Sequence, residues 1–154
     1  MNSFLLYLYK VVVSLLPETR CFGVKRTLLR FAGAKIGKNV RICSSALIVG
    51  AGNLEIGDNT WVGHRCIIVA SSFVKIGTNV DIAPSVFVGN GTHGITPDRE
   101  RVADIELSKD IIIGNGCWIC ANASILAGVV IGVKCVVAAG AVVTKSFSDL
   151  SLIA

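Results

Sequence analysis

Few side chains in this sequence could do chemistry beyond packing. There are two histidines, His64 and His93, and six cysteines, two of them spaced as Cys117-x-x-Cys120. A CxxC pair supplies half of a tetrahedral zinc site. No second pair or histidine cluster stands at zinc-finger spacing, so small buried thiols are the expected role. A chain this long and this apolar does not need a disulfide framework, and all six cysteines are expected to be reduced. Cys66 and Cys120 are the conceivable nucleophiles for a covalent route. His93 stands apart because it opens the polar segment HGITPDRERVADIELSKD. A polar excursion of that length from a regular frame is usually where function is placed.

What must position these residues is an internal repeat of period six. Aliphatic residues recur as Ile36, Ile42, Ile48; Ile56, Val62, Ile68; Ile76, Ile82, Val88; Ile113, Ile119, Ile125; and Ile131, Val137, Val143. The five triplets open with IGKNV, IGDNT, IGTNV, IGNGC and IGVKC. A step of six agrees with strand alternation and not with the helical period of 3.6. The Gly, Asn, Asp and Ser residues after the aliphatic positions tolerate tight turns, so three six-residue sides close one triangular coil. Coils stacked about 4.8 Å apart align the triplets into apolar columns inside a prism. Two-residue insertions before Ile56 and Ile76 read as small corner loops, and nineteen extra residues between Val88 and Ile113 leave the third corner as a protruding loop, 94–112. The expected class is all-β, a parallel β-helix of about five coils over 36–148, with 149–154 as a C-terminal end.

Residues 1–35 break the repeat and are expected to form a helical segment, with short helices near 3–16 and 19–32. The apolar run SFLLYLYKVVVSLLP contains Lys10, ends at Pro17 and is too short for an ordinary membrane span. It lacks a basic stretch ahead of it and a small-residue cleavage site after it, so it is not a clean signal peptide. Residues 1–41 hold eight basic residues against Glu18 alone, while the remainder holds seven basic and nine acidic residues. This local basicity suits phospholipid headgroups or a pyrophosphate-linked substrate, and peripheral membrane contact through residues 1–35 is the expectation. A solvated face is the plainer reading. Reduced thiols and a basic segment suit a cytoplasmic protein at the inner face of the membrane. No nucleic-acid partner is expected.

The segments IGTNVDIAPSVFVGNGTH at 76–93, IGNGCWICANASILAGVVIG at 113–132 and VVAAGAVVTK at 136–145 together resemble the hexapeptide-repeat acyltransferases. Galactoside, maltose and serine acetyltransferases and polysaccharide O-acetyltransferases belong to that family, and the resemblance covers about 36–147. It implies a left-handed coil, a homotrimer with active sites between subunits, and transfer of an acetyl group from acetyl-CoA to a sugar or polysaccharide hydroxyl with no metal. His93 matches the family's catalytic histidine, whose imidazole can take a proton near neutral pH. Ala121 matches the position whose backbone N–H meets the oxyanion. Ala139, Thr144 and Lys145 match positions along the pantetheine and nucleotide ends of the coenzyme, and Trp118 matches a tryptophan beside the cleft.

His64 falls beside a substrate-binding position that aligns with Gly63, and is carried as a substrate-binding candidate. Asp81 and Asp110 are the candidates for a group that orients His93. Relatives continue past SLIA into a Gly-x-Pro-Ala segment that helps hold coenzyme A, so a weaker hold is expected from this stretch of chain. Two alternatives stay open and a third is set aside. A nucleotide-sugar N-acyltransferase would use His93 equally well, and a non-catalytic β-helix would serve binding or assembly. A zinc carbonic anhydrase needs three histidines per metal, and this chain has two in all.

Overall fold

Asn39, Asn59 and Asn79 show how a six-residue step becomes a corner. All three occupy the left-handed backbone region, at φ 54, 57 and 54 respectively, where Asn is tolerated better than most residues. The Asn39 side-chain amide donates to the Asn59 side-chain oxygen at 3.2 Å, and Asn59 donates likewise to Asn79 at 3.2 Å. In the computed structural model, which describes residues 1–154, such corners separate short strands on three faces.

The first face stacks Lys35–Ile36, Asn53–Ile56, Phe73–Ile76, Ile111–Ile113 and Val130–Ile131. The second stacks Arg41–Ile42, Trp61–Val62, Asp81–Ile82, Trp118–Ile119, Val136–Val137 and Leu152–Ile153. The third stacks Leu47–Val49, Ile67–Val69, Phe87–Gly89, Ser124–Ile125 and Val142–Val143. Every pairing within these faces is parallel and in register, so Ile36, Ile56, Ile76, Ile113 and Ile131 form one column. The equivalent columns on the other faces are also buried, down to Ile42, Ile82, Ile119 and Ile125 at 0 % exposure. Burying aliphatic side chains on every side is the main stabilising term of such a prism. The glycine after each first-face isoleucine permits stacking: a Cβ on Gly57 would lie 2.6 Å from the Gly77 carbonyl carbon.

The expected coil count needs one correction. Phe147 bridges to Ile131, and Leu152–Ile153 pairs with Val136–Val137, so residues beyond 146 begin a sixth coil. Ile153 is 3 % exposed and extends the second-face column. The step from Val143 to Phe147 is four residues instead of six, which hides the continuation from a strict hexapeptide register.

Helices α1 (Ser3–Ser14) and α2 (Phe22–Phe31) pack on the first coil. Asn2 caps α1, its side-chain oxygen accepting from the Leu5 N–H at 3.1 Å. Leu6, Tyr9 and Val13 face the coil, while Phe4, Leu8, Val11 and Leu15 form an exposed apolar stripe. No helix is long and apolar enough to cross a membrane. Much of the local basicity is engaged with the body. Arg26 donates to the Val40 carbonyl, Arg30 donates to those of Ile36 and Gly37, and Lys35 pairs with Glu55.

Candidate active site

The excursion after the third coil is an antiparallel hairpin, Gly91–Ile95 with Ala103–Ser108. It starts earlier than the expected loop 94–112, and the coil is already resumed at Ile111. Both hairpin faces are open to solvent, so no buried column writes alternation into the sequence. His93 therefore sits within the first hairpin strand, opposite Glu106. Gly94 faces two residues, Asp104 and Ile105, so a bulge in the second hairpin strand shifts the register between His93 and Ile95. His93 Nδ1 lies 3.3 Å from the Asp104 main-chain oxygen. When Nδ1 carries the proton and donates to that oxygen, Nε2 presents a lone pair. The imidazole is exposed and lines a groove of about 460 Å³ with Ser71, Gly91, Thr92, Glu106, Leu107 and Ser108.

Two polar clusters that sequence reasoning missed hold this hairpin. At its tip, the Asp104 carboxylate accepts from Thr96 Oγ1 at 2.8 Å and from Arg99 at 2.8 Å. At its base, Asn90 is fully buried. Its side-chain oxygen accepts from the N–H groups of Ser71 and Ser72, and its amide donates to Ser72 Oγ and the Phe73 carbonyl. A single polar side chain replacing an apolar neighbour in the GNG turn was the only sequence signal. The candidate orienting carboxylates lie elsewhere. Asp110 accepts from the Phe73 N–H at 3.0 Å, and Asp81 is on the second face opposite Trp61 and Trp118.

The remaining candidates divide between two edges of the prism. Trp118 is exposed on the second face and leads to the edge that carries Ala121. The Gly140 N–H donates to the Ala121 carbonyl, which stacks Ala139 above Ala121 on that edge. The same edge carries Pro84, whose carbonyl accepts from the Asn122 N–H, and His64, whose carbonyl accepts from the Ser85 N–H. The Ala121 N–H has no acceptor within the chain. Thr144 and Lys145 follow the third-face strand Val142–Val143 and share the opposite edge with the hairpin. A third-face side spans five to six residues, on the order of 15–20 Å at strand rise. Within one chain, His93 and Ala121 are thus held apart by a full face of the prism. The hairpin also exposes Ile95, Val102, Ile105 and Leu107, apolar side chains with no cover in the single chain.

The cysteines are free thiols. Cys117 donates to the Gly132 carbonyl at 3.0 Å, and Cys120 belongs to no group of metal-ligating side chains, so the CxxC spacing builds no centre. A different group does assemble: donor atoms of Glu18, Cys43 and His64 lie within 4.8 Å of one another, far along the chain from His93. Burial pushes the Cys43 thiol up to about 11, with the nearby Glu18 charge acting in the same direction. Burial would raise Glu18 too, but hydrogen bonds from the Ser45 N–H and hydroxyl, together with the nearby His64 and Lys25, hold the carboxyl below its usual range.

Residues 110–145 match the family described as bacterial transferase hexapeptide (six repeats), and residues 54–90 match the hexapeptide repeat of succinyl-transferase. The galactoside O-acetyltransferase of Escherichia coli K12 is 31 % identical over 121 residues, 79 % of this chain and 59 % of that protein. WcaF of the same organism, named provisionally as a colanic acid biosynthesis acetyltransferase, is 34 % identical over 119 residues, 77 % of this chain and 63 % of that protein. The chain spans from about half to under two thirds of the length of the curated relatives it matches. Among solved structures, a hexapeptide-repeat acetyltransferase of Vibrio cholerae, crystallised with acetyl coenzyme A, superimposes with a TM-score of 0.75 at 22 % identity. That match covers 96 % of this chain and 78 % of that one, and it concerns the fold.

Proposed function

Because the chain belongs to the hexapeptide-repeat acetyltransferase family, we propose that it moves an acetyl group from acetyl-CoA to a hydroxyl of a sugar or polysaccharide precursor, with His93 as general base. The observation that carries this reading is the His93 imidazole on the exposed hairpin, with Nδ1 facing the Asp104 carbonyl and Nε2 left free. Acetyl-CoA supplies an activated thioester carbonyl. Nε2 takes the proton from the acceptor hydroxyl as its oxygen attacks that carbonyl. The unpaired Ala121 N–H meets the developing oxyanion. As the C–S bond breaks, the imidazolium returns its proton to the departing thiolate, and the base is regenerated.

His93 and Ala121 belong to opposite ends of one face, so the site works only when the hairpin of one copy meets the alanine edge of the next. Such a head-to-tail contact closes as a ring when its rotation closes, and the homotrimer implied by the family resemblance is the ring we propose. The uncovered apolar residues of the hairpin support this assembly. Ala139, Thr144 and Lys145 would flank the coenzyme arm and its phosphates, Trp118 would wall the cleft, and His64 would reach the acceptor from the alanine edge. Residues 1–35, with the apolar stripe of α1 and exposed Lys10 and Arg20, would rest on an anionic membrane surface near a lipid-linked acceptor.

The test is release of coenzyme A from acetyl-CoA across a panel of sugars, nucleotide sugars and amino sugars. Release with a hydroxyl acceptor, lowered by about 10²–10⁴-fold in His93→Ala, is the expected result. Turnover confined to amines would replace the O-acetyl reading by an N-acetyl one. No release with any acceptor, or full activity in His93→Ala, would overturn the proposal.

A further inference from the structure

The Glu18, Cys43 and His64 cluster lies away from the hairpin groove, shares only His64 with the proposed acceptor site, and brings together three separate parts of the chain. Glu18 comes from the linker between α1 and α2, Cys43 from the first coil and His64 from the second. We infer that these three side chains form a binding site for a divalent cation of the zinc class, pinning the helical segment to the first two coils.

Three observations carry the inference. The first is the donor set itself: one carboxylate, one sulfur and one imidazole, with donor atoms within 4.8 Å of one another. Zinc takes this combination at roughly 2.0–2.3 Å per ligand, which places tetrahedral neighbours about 3.3–3.8 Å apart. Binding would require the side chains to turn until the donor atoms reach that spacing.

The second is the state of Cys43, which is 0 % exposed and has no hydrogen-bond acceptor. The other three buried cysteines all have one. Cys66 donates to the Ala83 carbonyl at 3.1 Å, Cys117 to that of Gly132 at 3.0 Å and Cys135 to that of Ser148 at 3.2 Å. A buried thiol facing a carboxylate and an imidazole, with nothing to donate to, is the group a metal would satisfy.

The third is an outer layer already in place. One Glu18 carboxylate oxygen is held by the Ser45 N–H and hydroxyl, each at 3.1 Å, and the other is left free. Such second contacts orient carboxylate ligands in metal sites.

The neighbouring Lys25 ammonium, held by the carbonyl oxygens of Pro17, Glu18 and Ile42, keeps its charge and lowers the affinity of the site for a cation. On binding, the Cys43 S–H bond breaks, its proton goes to solvent and the S–metal bond forms. No electron is transferred. Three protein ligands leave a fourth position for water. One imidazole nitrogen of His64 ligates, and the other stays available to the acceptor role proposed above.

Cobalt(II) is the probe, added to the full chain after treatment with a chelator. About one cobalt per chain should bind, with a thiolate-to-cobalt charge-transfer band, and zinc should displace it. Cys43→Ser should lose the band, and its cobalt affinity should fall by more than the roughly 10–100-fold typical of removing an outer-layer partner. Cys66→Ser should keep both. If Cys43→Ser fails to fold, Glu18→Gln and His64→Asn replace it, and each should weaken cobalt binding. Sub-stoichiometric binding, a wild-type complex without the band, or a band that survives in Cys43→Ser would overturn the inference. None of these readouts depends on acyl transfer, so the two proposals fail separately.

Discussion

His93 Nδ1 lies 3.3 Å from the main-chain oxygen of Asp104, two positions before the Glu106 that pairs with it across the hairpin. The bulge at Asp104–Ile105, opposite Gly94, makes this offset possible. A carbonyl oxygen in this place has one consequence for catalysis. It selects a tautomer without adding a negative charge, and the Asp104 carboxylate itself is engaged by Thr96 and Arg99.

Replacing His93 by Ala should lower the maximal rate by about 10²–10⁴-fold, the usual contribution of a general base, with coenzyme affinity little changed. The side chain lies outside every buried column, so thermal stability should stay near that of the parent. Steady-state kinetics with coenzyme titration reads the split. A change confined to KM would count against the base role.

Asn90→Leu should unfasten the hairpin base. Its four side-chain hydrogen bonds to Ser71, Ser72 and Phe73 would be lost, stranding partners that cost about 1–3 kcal/mol each when buried and unpaired. Chemical denaturation should show a loss of at least about 2 kcal/mol, and turnover should drop as His93 loses its position. A stable, fully active variant would show that the hairpin needs no such anchor.

Ile82→Asp places a carboxylate at a position with 0 % exposure, in the middle of the second-face column. Destabilisation of several kcal/mol is expected, from desolvation of the charge and loss of packing. Loss of soluble folded protein or a steep fall in Tm is the readout. Trp118→Ser, on the exposed side of the same face, serves as a tolerated control for folding.

Alkaline pH should weaken the metal-free protein. Burial raises the Cys43 thiol to about 11 in the folded chain, and burial also raises Cys66 and Cys117. A folded value above the unfolded one means that the folded state holds the proton more tightly. Its stability contribution is therefore complete below the unfolded value, about 8.5, and is lost as pH rises through the folded value. Denaturation midpoints should fall between about pH 8.5 and about pH 11, with a shallower fall in Cys43→Ala. An unchanged slope in that variant would exclude Cys43 as a contributor.

Binding of the full chain to anionic vesicles should exceed binding to neutral ones and weaken as salt rises. Several of the basic residues are hydrogen-bonded to the body, so the salt slope should be smaller than the +7 of residues 1–41 suggests. Phe4→Ser with Leu8→Ser should reduce binding at every salt concentration if the α1 stripe enters the interface. Equal sedimentation with both vesicle types at low salt would remove the membrane proposal.

The sequence by itself determined the prism. A column position must be aliphatic in every coil and a corner must turn every sixth residue, so burial and backbone sterics write the register directly into residues such as Ile36, Ile82 and Asn59. It determined as well that something leaves the third corner at His93. Tertiary structure decided the rest, because those features depend on partners distant in sequence. The sixth coil follows a four-residue step that only the pairing of Leu152–Ile153 with Val136–Val137 reveals. The hairpin has no buried face, so its strands leave no apolar alternation, and the Asp104 carbonyl is invisible to any reading of side-chain types. Glu18, Cys43 and His64 lie at separations of 21 to 46 residues and meet only because successive coils stack and the helical linker folds back on them. The gap between His93 and Ala121 is likewise a property of the triangular cross-section, fixed by where each residue falls along a side.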